Sequence, residues 1–364
     1  MKVLLFNEYS GVHKNLKEGL ARLGYEDVHI ASAGDGWKKI ESDICLSWNG
    51  RNAAEKIINY VHSLLKIAKM IDYDILQFIS PFYFRSSLLC NEYVFKYLIQ
   101  RNSKSFLYAS GCSSIYYEIA NSRLSYAPCP ACKRTDQEKG VCRFENEDSR
   151  AWNYRFMDQI DGIIPSMYEY AEGVRNDPKT CRTIPLPINT DNICYKENVT
   201  QGKLVIFHGM NRVGFKGTPI IERALKQLKQ KYPNDIDVIV DGQMPLNDYL
   251  RVIERANVIV DQVNSYSYGM NAIYSMALGK VVLSGCEKEC LAELGLEEAP
   301  IINILPDEKD IITKIESLIE SRQNIIQLGA ASRAFVERIH HYVKVAEQFS
   351  NLWRKGLREK KNVN

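Results

Sequence analysis

The order of hydrophobic and polar positions predicts an alternation of strands and helices in the first half of the chain. Short apolar runs predict strands, and stretches with apolar residues at every third or fourth position predict helices between them. The helix over residues 53–70 is expected to turn one apolar face, formed by Ile57, Val61, Leu64, Leu65 and Ala68, toward a core. The predicted strands are 3–6, 28–30, 74–79, 106–108 and 163–164, and the predicted helices are one ending at Gly24, 53–70 and 88–99.

The same rhythm restarts after a proline-containing segment, residues 182–191, in which neither a helix nor a central strand is expected. Strands are predicted at 204–207, 236–240, 258–261 and 281–283, with helices at 218–231, 246–254 and about 271–278 and a loop over 208–217. Alternating strands and helices favour parallel sheets covered on both faces. The predicted fold class is therefore α/β, with two tandem doubly wound Rossmann-like domains.

We expect four regions from this pattern. They are a first domain over residues 1–187 with a cysteine-containing insertion near 112–142, a linker over 188–202, a second domain over 203–340, and a C-terminal helix with a basic tail over 341–364 that crosses back to the first domain.

Composition narrows the function classes. The 364 residues are 45% hydrophobic and 25% charged with a formal net charge of +3, which is typical of a globular protein and argues against nucleic acid as a partner. No run of about 18 apolar residues predicts a membrane span, and the N-terminus turns polar too early for a signal peptide. Ten cysteines then favour a reducing compartment, so the expected location is cytoplasmic.

Five segments of the second half occur in a recognisable order: Ile184–Thr190, Phe207–Gly217, Ala256–Gln262, Tyr268–Lys280 and Phe335–His341. Together they resemble the donor domain of retaining nucleotide-sugar glycosyltransferases of the GT-B fold (group 1, family 4-like). The resemblance implies two Rossmann-like domains facing a cleft, with the donor bound by the C-terminal domain and the acceptor by the N-terminal domain.

The chemistry of such a reaction explains the loop over 208–217. Cleavage of a sugar–diphosphate bond leaves negative charge on the departing diphosphate, so fixed positive charge is needed there. Arg212 and Lys216 are the predicted catalytic cations, and Gly214 and Gly217 let the backbone approach the ligand. The further donor-binding residues predicted from the resemblance are Gly11, His13, Ser110, His208, Asn211, Asp241, Tyr266, Tyr268, Gly269, Met270, Asn271 and Tyr274.

Three positions depart from the family pattern. Tyr266 and Tyr274 stand where the family carries two glutamates, and Ser110 stands where it carries a histidine. A retaining mechanism in which the leaving phosphate helps to deprotonate the acceptor tolerates the loss of a base, whereas loss of activity is the other consequence.

A cysteine cluster lies in the irregular part of the first half. Cys129 and Cys132 form a C-x2-C pair, with Cys112 before it and Cys142 after it. Four thiolates suit a structural zinc ion; reduced thiols and a redox pair are the alternatives.

The sequence thus predicts a glycosyltransferase that moves a sugar from a nucleotide diphosphate to a glycan or lipid-linked acceptor in polysaccharide or glycoconjugate synthesis. No cofactor is required, because the two cations take the role of a metal. The basic tail favours solvation, or weak peripheral attraction to anionic lipid on the inner face of a membrane. A catalytically inert donor-binding protein or scaffold and a GT-B sugar epimerase are the alternative functions.

Overall fold

The computed structural model describes residues 1–32, 40, 42–47, 50–82, 88–136, 140–242 and 244–361. These residues form two compact units. The first comprises Met1–Tyr116, Arg143–Asn189 and the chain from Tyr342, and the second comprises Tyr117–Cys142 and Thr190–His341. Residues 117–142 therefore pack with the second unit, although the chain enters them from the first. The end of the predicted tail, residues 362–364, lies outside the described residues.

The first unit is built on a parallel sheet of six strands in the order β3-β2-β1-β4-β5-β6. All four residues of β1 and of β4 are buried, because helices cover both faces of a parallel sheet. The strands are β1 Val3–Phe6, β2 Val28–Ser32, β3 Ile44–Cys45, β4 Ile75–Phe78, β5 Lys104–Ala109 and β6 Gly162–Pro165. The helices are α1 Val12–Arg22, α2 Ala53–Ala68, α3 Leu88–Arg101, α6 Glu147–Gln159, α7 Tyr168–Val174 and α15 Tyr342–Lys361, together with the start of α4 Ser114–Ser122.

The second unit is built on a parallel sheet of five strands in the order β11-β10-β9-β7-β8. The strands are β7 Leu204–Gly209, β8 Ile236–Asp241, β9 Val258–Val260, β10 Val281–Ser284 and β11 Ile302–Asn303. The helices are the end of α4, α5 Pro128–Thr135, α8 Val213–Lys216, α9 Thr218–Lys231, α10 Leu246–Arg255, α11 Met270–Ala277, α12 Lys288–Glu293, α13 Glu308–Glu320 and α14 Ile325–Ile339.

The strand order reverses at one point of the second sheet. β7 lies between β8 and β9, so the loops that leave β7 and β9 diverge to opposite faces. A crevice at the carboxyl ends of the strands, where the order reverses, is the general ligand site of open α/β sheets. Both the Arg212 loop and the segment after Val260 begin at this point.

Two sequence expectations are corrected. The loop over 208–217 contains a one-turn helix, α8, which closes on Gly217 in the left-handed conformation with φ 75°. On α2, Leu64 packs against the core, but Ile57, Val61 and Leu65 are exposed, because a neighbouring stripe with the buried Ile67 faces the sheet instead. Among the described residues, no helix is both long and apolar enough to cross a membrane.

Candidate functional site

The candidate site lies at the carboxyl edge of the second sheet, where the loops after β7 and β9 begin. Lys216 ends α8, and its Nζ donates to Asp261 Oδ1 at 2.9 Å and to the carbonyl of Gly209 at 3.1 Å. Both charged side chains are nearly inaccessible, at 9% and 1% exposure. Lys216 therefore forms a buried ion pair at the point where the strand order reverses.

The same carboxylate oxygen connects the loop with the start of the next helix. Asn271 Nδ2 donates to Asp261 Oδ1 at 2.8 Å, and Asn271 Oδ1 accepts from the hydroxyl of Tyr249 at 2.7 Å. Burial, together with the negative charge of Asp261, raises the pKa of Tyr249, so the phenol remains protonated and donates. Lys216 and the first turn of α11 are thus held within one hydrogen-bonded network.

The N-terminus of α11 has the features of an anion-binding site. Its first residues, Met270 and Asn271, and the preceding Gly269 are partly exposed, and no described side chain caps the helix. A Cβ at Gly269 would meet no described atom within 4 Å. Uncapped amides at a helix start, aligned with the helix dipole, attract phosphate groups. The side chain of Asn271 in this first turn and the Lys216 ammonium donate to the same acceptor, Asp261 Oδ1.

Arg212 precedes α8 and is exposed. Its guanidinium carbon lies 3.8 Å from the centre of the Phe215 ring, and its Nη2 lies 3.9 Å from Cys132 Sγ. The stacked ring fixes the plane of the guanidinium. Asn211, just before it, is hydrogen-bonded to Tyr249. At the end of α8, position 217 requires glycine, because a Cβ there would lie 2.4 Å from Val263 Cγ2.

Residues 128–136 pack directly on this loop. The carboxylate of Asp136 accepts from the amides of Gly214 and Phe215 at 2.9 and 2.8 Å, as an N-cap of α8 that is contributed by a distant part of the chain. A Cβ on Gly214 would lie 1.8 Å from Thr135 Oγ1, so only glycine allows this approach.

Tyr266 occupies one of the two glutamate positions and is covered by Tyr126, two residues before α5. Its ring stacks on Tyr126 with centroids 4.7 Å apart and an interplanar angle of 22°. The hydroxyl of Tyr126 donates to Glu287 Oε1 at 2.6 Å, which brings a carboxylate to this neighbourhood from another loop. Tyr274, at the other glutamate position, is half-buried, and burial raises the pKa of its phenol.

Two predicted donor-binding side chains of the second unit are buried and hydrogen-bonded within the protein. The ring of His208 is fully buried; its Nδ1 donates to the carbonyl of Val260 and its Nε2 accepts from Thr218, both at 2.8 Å. Burial, with Lys216 nearby, lowers the pKa of His208 to about 4, so the ring is neutral. Tyr268 is also fully buried, with its hydroxyl 3.0 Å from His340 Nε2. Asp241, by contrast, is exposed and accepts from the amide of Gly242.

The predicted residues of the first unit lie in two places. His13 is buried on the first turn of α1; its Nδ1 donates to the carbonyl of Asn7 in the loop after β1 at 2.6 Å, and burial lowers its pKa to about 4. This hydrogen bond connects the start of α1 to the loop after β1. The loop has positive φ angles at Asn7, Ser10 and Gly11, of 78°, 57° and 83°, and this conformation is strained at the two non-glycine residues.

Ser110 lines a cavity at the carboxyl ends of β4 and β5, together with Ser80, Asn153 and the buried Glu169. The cavity volume is about 30 Å³, which is room for one or two water molecules.

The zinc prediction is corrected. Cys112 belongs to the first unit, whereas Cys129, Cys132 and Cys142 belong to the second. Within the described ranges, no three or more His, Cys, Asp or Glu side chains are placed to hold a metal ion. Among the described residues these four cysteines form no disulfide, and Cys132 is buried.

Sequence reasoning missed Asp261 and Asp136 as site residues. A carboxylate directly after a fully buried strand was the available signal for Asp261. For Asp136 there was none, because its partners lie 78 and 79 residues further along the chain.

Comparisons with known proteins agree on the fold. No protein-family model and no curated protein matches the chain. Among solved structures, sucrose-phosphate synthase from Thermosynechococcus elongatus is similar over 98% of this chain and 99% of that chain, with a TM-score of 0.65 and 16% identity. Anabaena HepE in complex with UDP-glucose is similar over 98% of this chain and 100% of that chain, with a TM-score of 0.61 and 11% identity. UDP-GlcNAc 2-epimerase from Neisseria meningitidis, bound to UDP-GlcNAc, is similar over 98% of this chain and 100% of that chain, with a TM-score of 0.54 and 12% identity. The α/β, GT-B fold predicted from the sequence is confirmed.

Proposed function

We propose that the chain is a glycosyltransferase that transfers a sugar from a nucleotide diphosphate donor, and that the second unit binds this donor. The observation that carries the proposal is that Lys216 and Asn271, a first-turn residue of α11, share Asp261 Oδ1 as acceptor, at the point where the strand order reverses. Solved structures of the same fold hold UDP-glucose or UDP-GlcNAc, which supports a uridine diphosphate sugar as the first donor to test.

Each cationic group has a distinct part in this proposal. Lys216 uses two of its three hydrogens on Asp261 and Gly209, which leaves one for a phosphate oxygen. Asp261 compensates the charge of Lys216, so the amides of α11 and the guanidinium of Arg212 supply the remaining stabilisation of the leaving diphosphate. Because Arg212 is exposed, its planar fork is accessible to an incoming diphosphate. These groups perform the charge stabilisation without requiring a metal ion.

The finer features of the reaction are part of the proposal. The acceptor is a glycan or a lipid-linked sugar bound by the first unit, and the sugar is transferred with retention of its anomeric configuration. Glu287, held by Tyr126 beside Tyr266, brings a carboxylate close to one position where a glutamate is replaced, and it is a candidate contact for the hydroxyls of the donor sugar.

One other reaction and one inert function are supported by specific observations. An epimerase acting on the nucleotide sugar is favoured by the likeness to UDP-GlcNAc 2-epimerase. Donor binding without catalysis is favoured by Tyr266 and Tyr274, which place neutral phenols at the two glutamate positions.

The test combines binding with product analysis. UDP, UDP-glucose and UDP-GlcNAc are titrated by calorimetry, and the binders are then incubated with candidate acceptors. A transferase releases UDP and increases the acceptor mass by one sugar. An epimerase leaves the donor mass unchanged, and an inert binder leaves both substrates intact. If none of the three nucleotides binds, uridine diphosphate donors are wrong for this chain.

A further inference from the structure

The helix α2 exposes an unusual number of apolar side chains. Ile57, Ile58, Val61 and Leu65 are 64%, 53%, 46% and 59% exposed. At 100° per residue they fall within an arc of about 100° on the helix surface. Single exposed apolar residues are common on proteins, but a contiguous group on one helix face marks an interaction surface.

This exposed arc adjoins the face that packs on the sheet, since Leu64 lies about 20° from Ile57 around the helix. Ile67 and Ser63 are buried, and Tyr60 and Leu64 are partly buried, Tyr60, Leu64 and Ile67 against the core of the first unit. The helix is therefore already anchored by its inner side. Anchoring does not explain the outer arc, which extends the apolar surface of the helix beyond the packed residues.

Basic residues flank the arc. Four basic residues and one acidic residue occur over residues 51–69. Lys66 and Lys69 are exposed. With His62 they lie beside Ile58 on the helix surface, at the edge of the apolar arc that is farther from Ile57. The single acidic residue, Glu55, accepts from the backbone amide of Arg51, so its carboxylate is turned toward the backbone at the start of the helix. The surface thus combines an apolar stripe with a positively charged border.

This combination suits one kind of partner. An apolar stripe beside lysines is the pattern of helices that lie in the interface of a bilayer containing anionic lipids. A second copy of the chain would bring the same basic border against itself, and like charges oppose that pairing. We propose that α2 is a membrane-contact helix that lies in the plane of an anionic lipid surface, with Ile57, Val61 and Leu65 inserted.

The proposal is tested by cosedimentation with two kinds of vesicle, phosphatidylcholine alone and phosphatidylcholine mixed with phosphatidylglycerol. The wild type is expected to sediment with the mixed vesicles and far less with the neutral ones. The variant Ile57→Gln/Val61→Gln/Leu65→Gln keeps good helix formers and is expected to bind at least about ten-fold more weakly. The variant Lys66→Gln/Lys69→Gln is expected to lose the preference for anionic vesicles.

A matched control replaces an equally exposed ring on another helix of the same unit. Tyr93 on α3 is 67% exposed, and Tyr93→Gln is expected to leave vesicle binding unchanged. Circular dichroism and thermal unfolding confirm that each variant is folded. Absence of binding to mixed vesicles by the wild type, or equal binding by the triple variant, overturns the proposal. A dimer that the triple variant abolishes overturns it in favour of a second copy. None of these results depends on the proposed transferase activity.

Discussion

Replacement of Lys216 by methionine tests the buried ion pair and the donor site together. Methionine fills much of the space of the lysine stem but leaves Asp261, which is 1% exposed, without its cation. Removal of one partner of a buried pair costs about 3–5 kcal/mol, because the remaining charge is uncompensated in a medium of low dielectric constant. We therefore expect Lys216→Met to unfold more easily as well as to lose nucleotide binding.

The double variant Lys216→Met/Asp261→Asn separates the two effects. Asparagine removes the unpaired charge and still accepts from Asn271, so much of the stability is expected to return. Nucleotide binding is not expected to return, because the ammonium is still missing. Unfolding in urea measures the stability of each variant, and calorimetric titration with UDP measures the affinity.

Two outcomes would refute this reasoning. If Lys216→Met unfolds at the same urea concentration as the wild type, the pair is not buried as the structure has it. If the double variant is stable and binds UDP as tightly as the wild type, Lys216 does not contribute to the donor site.

Two further predictions concern the loop cap and the buried histidines. Asp136→Ala is expected to lower stability by about 0.5–2 kcal/mol and to weaken UDP binding measured by calorimetry; Asp307→Ala, which removes the N-cap of α13, is the control and should cost similar stability with unchanged affinity. Equal affinities in both variants would contradict a role of Asp136 in the site. Because burial lowers the pKa of His13 and His208 from 6.5 to about 4, the unfolded chain takes up protons first as pH falls. Each histidine should therefore lower the free energy of unfolding by about 1.4 kcal/mol for every unit by which the pH falls between about 6.5 and 4. The urea midpoint is expected to fall over this range, and less steeply in His208→Gln; an unchanged slope would contradict the burial.

The strands were predictable because strands of a covered parallel sheet are short continuous apolar runs. Val3–Phe6 and Val281–Ser284 begin where the sequence pattern places them. The sequence pattern also identifies the chemistry of the Arg212 loop, since the resemblance rests on neighbouring residues. What depends on contacts between distant residues was not predictable in the same way.

The environment of Lys216 shows this limit. Its partner Asp261 is 45 residues away, so nothing near Lys216 indicates that the ammonium is buried and paired. Periodicity identified an apolar stripe on α2, but it does not say which of two apolar faces packs on the sheet. Likewise, the polar run that contains Asp136 has the composition of a solvated loop. Nothing in it indicates that the preceding helix, α5, packs against Gly214.

Amide hydrogen exchange with and without UDP tests the central claim most directly, because it locates the nucleotide on the chain. The account predicts slower exchange in the presence of UDP at residues 209–217 and 269–272, which form the loop after β7 and the start of α11. Protection confined to the loop after β1, or unchanged exchange at both predicted segments under conditions where UDP binds, would contradict it.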